Sequence, residues 1–218
     1  MSGACVVVGM GPGVGLAVAA RFGAAGFAIG MVARREESLQ AARAALAELS
    51  IEAAGRQADA GHPAGLRAAL ASLAASIGPV RALIYNAAVL QGALPSALTP
   101  ERLVDDFRVN VAGALVAAQA VAPAMTAAGS GTILFTGGGF ALQPSPLKAS
   151  LGVGKAGIRN LAFSLAGELG PLGVRVGTVT ICGPVQPGTA FDPAKIAEIY
   201  FGMHAEGVGG PVEAMFTG

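Results

Sequence analysis

The sequence predicts an α/β chain built on a parallel sheet that helices cover on both faces, and three observations carry that expectation. Short β-branched, apolar runs alternate along the chain with long Ala/Leu-rich stretches of helical period. The order is strand then helix throughout, the order a parallel sheet needs for its crossovers. Gly26, Gly78, Gly129 and Gly173 fall just past the ends of four helical stretches, where a glycine stops a helix. Seven strands are expected, at 4–8, 27–32, 52–58, 80–85, 132–136, 175–180 and 212–216. Between them helices are expected at 14–25, 36–49, 63–76, 101–128, 150–169 and 193–205.

A chain of 218 residues, 53% of them hydrophobic, suits one domain with a large core, and no linker or internal repeat divides it. A net charge of +1 and a charged fraction of 12% leave little surface for a polyanion, so nucleic acid is not an expected partner. Segment 109–147 has no charged side chain, yet Gln119, Pro123, Gly129 and Gly131 interrupt it and a strand pattern follows. It reads as a buried helix and strand, and no membrane span is expected. No basic region precedes the first apolar run, so a cytoplasmic location is expected. Cys5 and Cys182 lie in apolar strand-like runs and read as reduced core thiols. No metal site is expected.

The strand at 4–8 leads into Gly9-Met10-Gly11-Pro12-Gly13-Val14-Gly15 and then into a helix. Glycines here let the backbone turn sharply and let a pyrophosphate approach the helix N-terminus, where free N–H groups and the helix dipole stabilise it. Its place between a first strand and a first helix makes this a nucleotide-binding turn. After the second strand comes Ala33-Arg34-Arg35. An acid there would serve a ribose 2′-hydroxyl, whereas a guanidinium pairs with a 2′-phosphate in a fork geometry. The basic pair favours NADP(H) over NAD(H) and argues against S-adenosylmethionine.

Further along, Gln57-Ala58-Asp59-Ala60 follows the third strand, Asn86-Ala87-Ala88 the fourth, and Val109-Asn110-Val111-Ala112-Gly113 lies in a helix. Pro123-Ala124-Met125 and Lys155-Ala156-Gly157 come later. With the spacing of Gly9, Gly13 and Gly15, these residues resemble the short-chain dehydrogenase/reductase family over nearly the whole chain. The resemblance implies a single Rossmann-type doubly wound domain and a nicotinamide dinucleotide. The implied cofactor contacts are Gly9, Gly11, Gly13, Gly15, Arg34, Arg35, Asp59, Asn86, Ala87, Lys155 and Thr189. Asp59 matches the acid that bonds adenine, and Asn110 the asparagine that supports a catalytic water.

That family uses a tyrosine as the substrate acid, a lysine that lowers its pKa and holds the ribose, a serine on the carbonyl and the asparagine. Asn110 and Lys155 are the implied catalytic residues, but the tyrosine position is Leu151 and the serine position Gly138. Ile181-Cys182-Gly183-Pro184 departs from the family's Pro-Gly after the sixth strand. A carbonyl oxygen that gains charge needs a proton, and leucine cannot donate one. Tyr85, Ser145, Lys148, Ser150, Thr136 and His204 are candidate substitutes, none at the tyrosine's spacing from Lys155. Four of them also have a bland reading: Tyr85 as strand-end packing, Lys148 as solvated, Ser150 as a helix cap, His204 as a surface charge. Two functions stand: an NADP(H)-dependent oxidoreductase on a small carbonyl or alcohol with an altered proton route, or an inactive dinucleotide-binding sensor, regulator or assembly protein. The short segment 186–191 predicts an open pocket, which Leu90, Phe140, Leu142, Leu147 and Phe191 would line. The helices 101–128 and 150–169 are apolar on more faces than one sheet covers, which predicts a homo-oligomer built on them.

Overall fold

The structure, a computed structural model, describes residues 3–218. Seven strands form one sheet, β1 (Ala4–Val8), β2 (Ala28–Ala33), β3 (Ala53–Gln57), β4 (Val80–Tyr85), β5 (Gly131–Thr136), β6 (Val174–Ile181) and β7 (Glu213–Phe216). All are parallel, in the order β3-β2-β1-β4-β5-β6-β7. The chain winds outward from β1 to β3, returns to β4 beside β1, and winds the other way. The strand order therefore reverses between β1 and β4, which opens a crevice above their carboxyl ends.

Period-two alternation gives the five inner strands two buried faces and the molecule two cores, while the edge strands β3 and β7 stay partly exposed. Val6 and Val8 join one core, under α3 (Pro63–Ile77), α5 (Gly113–Ala127) and α6 (Ala149–Leu169). Cys5 and Val7 join the other, under α1 (Val14–Ala24), α2 (Glu36–Ala47) and α7 (Pro193–Glu206). A sheet covered on both faces explains the unbroken apolar strand runs, because neither face meets water. The four glycines expected to stop helices all lie at positive φ. At the end of α2, where the sequence offers no glycine, Ser50 takes the left-handed conformation at φ 59°.

One expectation is corrected. The helix expected over 101–128 is broken into α4 (Pro100–Phe107), a π turn over Arg108–Ala112, and α5. The extra residue of the π turn lies where α6 crosses closely. A Cβ at Gly154 of α6 would stand 2.7 Å from the Asn110 side chain, and one at Gly157 would stand 2.8 Å from Val111. Two glycines thus let α6 press on the turn, and the Tyr85 hydroxyl donates to the Val109 carbonyl beneath it. The run Pro100–Ala127 is long and apolar enough to span a membrane by composition, but here it packs against α3, the sheet and α6.

His204, read from the sequence as a surface charge, is half-buried. Its ring packs within 5.3–6.0 Å of Phe22, Phe27 and Phe201, and its Nδ1 lies 2.8 Å from the Thr132 hydroxyl. Burial lowers its pKa. The sequence places His204 four residues after Tyr200, on the apolar stripe of α7, which is the signal for burial.

Candidate active site

The crevice is a cavity of about 1690 Å3, lined mainly from the carboxyl ends of the strands and the starts of α1 and α6, with the end of α4 and the π turn closing one side. At β1 the chain turns through Gly9 at φ 90°. Gly9 and Met10 donate their N–H groups to the Val32 carbonyl at 2.9 and 3.0 Å, which hangs the turn on β2. From the other side Asn86 Nδ2 donates to the Gly9 carbonyl at 2.9 Å, so the end of β4 holds the turn as well. Behind Asn86 stands a chain of hydroxyls: Tyr200 donates to Thr136 Oγ1 at 2.7 Å, and Thr136 donates to Asn86 Oδ1 at 2.9 Å. Burial raises the Tyr200 pKa, so its hydroxyl keeps the proton that this chain uses.

The turn fits an anion. Gly11 and Gly13 line the cavity with no heavy atom within 4 Å of where a Cβ would stand, whereas a Cβ at Gly15 would stand 3.1 Å from the Gly9 carbonyl oxygen. Helix α1 follows Gly13 with no side-chain cap and no acid in its first turn, and while the Leu16 and Ala17 N–H groups bond the Gly11 and Gly13 carbonyls at 3.0 and 3.1 Å, those of Val14 and Gly15 are left for a ligand. Arg34 and Arg35 stand exposed on the rim at the end of β2, and no carboxylate stands at the end of that strand. Asp59 lies beside them after β3, with Oδ1 accepting from the Gly61 N–H at 2.8 Å. Ala87 completes this side, with its backbone packed against Gly9.

At the inner end, β5 and α6 meet. Lys155 is half-buried, its Nζ donates to the Thr136 carbonyl at 2.6 Å, and desolvation brings its pKa down to about 8. Leu151, one helical turn earlier, lies on the same wall and is 5% exposed. Gly138 faces the lysine stem: a Cβ there would meet Lys155 methylenes at 3.4–3.5 Å, ordinary contact. Asn110 sits at the π turn, with Oδ1 accepting from the Val89 N–H at 2.7 Å. Its Nδ2 is the one buried side-chain polar atom without a hydrogen-bond partner among the described residues.

The cavity thus brings together all the expected cofactor contacts except Thr189, with Asn110 buried just behind its wall. Thr189 is turned away because its own loop uses it: the hydroxyl donates to the Gln186 carbonyl at 2.8 Å and accepts from the Phe191 N–H at 3.1 Å. Val185, Met215 and Thr217 line the wall on that side instead. Leu90, Phe140 and Leu142 line the mouth as expected, while Phe191 packs against Phe216 and Leu147 lies outside. Cys5 is buried in β1, but Cys182, expected in the core, is exposed on the cavity wall just past the end of β6.

None of the candidate substitutes occupies the tyrosine's place. Tyr85 spends its proton on Val109, and Lys148 donates to the Leu90 carbonyl at 2.8 Å. Ser145 accepts from the Leu147 N–H at 3.3 Å. Ser150 does not cap α6; it donates to Asp106 Oδ2 at 2.6 Å. Two further residues, Tyr200 and Asp106, belong to no motif in the sequence: Tyr200 lies in a helical run with apolar neighbours, and Asp106 is one of two adjacent acids.

A parallel sheet with this reversal, a glycine turn into α1 and a lysine on the wall beneath β5 define a dinucleotide-binding α/β protein. The sequence pattern of the short chain dehydrogenase family matches residues 4–195, and the chain belongs to that family. It is 31% identical over 175 residues to an oxidoreductase, asL5, of Sarocladium schorii, covering 80% of this chain and 69% of that one. It is 27% identical over 175 residues to a D-threitol dehydrogenase of Mycolicibacterium smegmatis, covering 80% of this chain and 67% of that one. A metagenomic short-chain oxidoreductase solved in complex with NADP superposes with a TM-score of 0.88 at 27% identity, covering 98% of this chain and 96% of that one.

Proposed function

We propose that the protein is an NADP(H)-dependent oxidoreductase acting on a small carbonyl or alcohol, with Lys155 as the proton donor in place of the absent tyrosine. The observation that carries this reading is the half-buried Lys155 ammonium on the cavity wall beside Gly138 and one turn from Leu151. When bound, the nicotinamide would exchange a hydride with the substrate carbon. In reduction Lys155 passes a proton from Nζ to the oxygen where charge develops, and recovers it from water through the cavity. In oxidation the neutral amine takes the alcohol proton. Leu151 excludes water from the same wall, which strengthens the lysine's field at that oxygen. The free N–H groups of α1 and the glycine turn suit the pyrophosphate, Asp59 the adenine side, and Arg34 and Arg35 a 2′-phosphate.

A thermal-shift titration with NADPH and NADH tests the cofactor, since a ligand that binds only the folded state raises its melting temperature. NADPH is expected to give the larger shift at equal concentration, and Arg34→Ala with Arg35→Ala to bring the two together. A larger shift with NADH would overturn the assignment. Turnover of carbonyls with NADPH then separates an enzyme from the second reading, a dinucleotide-binding sensor or assembly protein, which the loss of the tyrosine and serine favours.

A homo-oligomer built on α4, α5 and α6 belongs to the same reading. Val104, Phe107, Leu115, Val153 and Phe163 are exposed on these helices, and apolar side chains gathered on neighbouring helices are a usual mark of an interface. Light scattering at micromolar concentration is expected to give a multiple of the 21.3 kDa chain mass; a monomer would refute it.

A further inference from the structure

The cavity holds a charge that the proton route above does not use. Asp106, on α4, is 7% exposed and lines the cavity. One oxygen, Oδ2, accepts from Ser150 at 2.6 Å. The other has no hydrogen-bond partner among the described residues, and the residue itself lines the cavity. The neighbouring cations are committed elsewhere. Arg102 donates to Gln91 at 3.0 Å, Arg108 pairs with Asp105, Lys148 donates to Leu90 and Lys155 to Thr136. Among the described residues the ion pairs are Arg21–Glu198, Arg108–Asp105 and Arg159–Glu213, and none includes Asp106.

An ionised carboxylate taken out of water is costly unless a cation or several donors meet it. Around it the substrate end is apolar, with Leu90, Phe140, Leu142, Leu151 and Met215 on the walls. A tie between α4 and α6 needs only the bond from Ser150, which an asparagine would accept equally well. The negative charge and the second oxygen are what that tie leaves unused.

We infer that Asp106 is a substrate-recognition group, and that the substrate carries a protonated amine on the same small molecule as the reacting carbonyl or alcohol. The amine donates to that second carboxylate oxygen, and the apolar walls hold the rest. The inference rests on the oxidoreductase reading above.

Two ketones of matched shape test it with NADPH, α-aminoacetophenone with its ammonium and propiophenone without. The wild-type kcat/KM is expected to favour the amine by about tenfold or more, the factor that one hydrogen bond to a charged group supplies. Asp106→Asn, which still accepts from Ser150, is expected to bring that ratio to about one through KM. Ser150→Ala, which loosens the tie but keeps the charge, and Asp106→Glu are expected to keep the preference. A ratio near one in the wild type, or an undiminished ratio in Asp106→Asn, overturns the inference and leaves the oxidoreductase reading standing. If neither ketone is reduced, that reading fails. Calorimetry with 2-amino-1-phenylethanol and 1-phenylpropan-1-ol in the presence of NADPH then decides about Asp106: tighter binding of the amine, lost in Asp106→Asn, supports it, and equal binding sinks it.

Discussion

Lys155→Met is expected to lower kcat/KM for carbonyl reduction by roughly a thousandfold or more, since general acid catalysis alone contributes about 10²–10⁴. Methionine keeps the stem, which packs beside Gly138, and removes only the ammonium that donates to the Thr136 carbonyl. The fold should survive the change. The wild-type pH profile carries the same signature. Burial disfavours the charged lysine and brings its pKa to about 8, so the ammonium is present below that value and lost above it. Reduction is expected to decline as pH rises through about 8, and alcohol oxidation, which needs the amine, to increase there. A flat profile, or full activity in Lys155→Met, would remove the lysine from the proton route. Leu151→Tyr with Gly138→Ser makes the complementary case. A Cβ at Gly138 would meet Lys155 methylenes at 3.4–3.5 Å, ordinary contact, and Leu151 lines the cavity. The pair is expected to raise turnover, and a double variant no faster than the wild type would show that more than the acid is missing.

Gly9→Ala is expected to cost about 3 kcal/mol or more and to lower the melting temperature by roughly 6–12 °C. Two penalties combine at this residue. Its φ of 90° is a backbone conformation that side chains with a Cβ rarely adopt, and a Cβ would stand 2.5 Å from Ala87 Cα and 2.7 Å from the Asn86 carbonyl carbon. Those atoms are backbone at the end of β4 and cannot rotate aside. Gly11→Ala is the control, because a Cβ there meets nothing within 4 Å on the protein side. Differential scanning calorimetry is expected to show Gly11→Ala melting within a degree or two of the wild type while losing the NADPH-induced shift. Equal melting of Gly9→Ala and wild type would mean that the turn is not packed as described.

The inner strands were legible because a strand buried on both faces must be apolar along its length, and a helix on such a sheet must carry an apolar stripe. The glycine turn was legible for a different reason: its requirement is local, a positive φ and a bare backbone between a strand and a helix. Lys155 could be placed by its spacing along α6, and the loss of the acid by counting back one helical turn to Leu151. Hydrophobic pattern reports that a side chain is buried but not what it meets. The π turn at Asn110 was hidden, because Gly154 and Gly157, the residues that make room for it, lie more than forty positions away in the sequence.

By itself, then, the sequence determined the parallel sheet, the nucleotide turn, the lysine and the missing acid, all of which follow from the nature and spacing of residues close together in the chain. Only the tertiary structure decided that Tyr200, Thr136 and Asn86 form one hydroxyl–amide chain behind Gly9, that Thr189 turns into its own loop, and that Cys182 faces the cavity. It alone set Asp106 against Ser150, 44 positions apart, through one of its two oxygens. Each of these is a hydrogen bond or an exposure fixed by how two distant elements pack, and a side chain's partner across such a contact leaves no periodic trace in the chain.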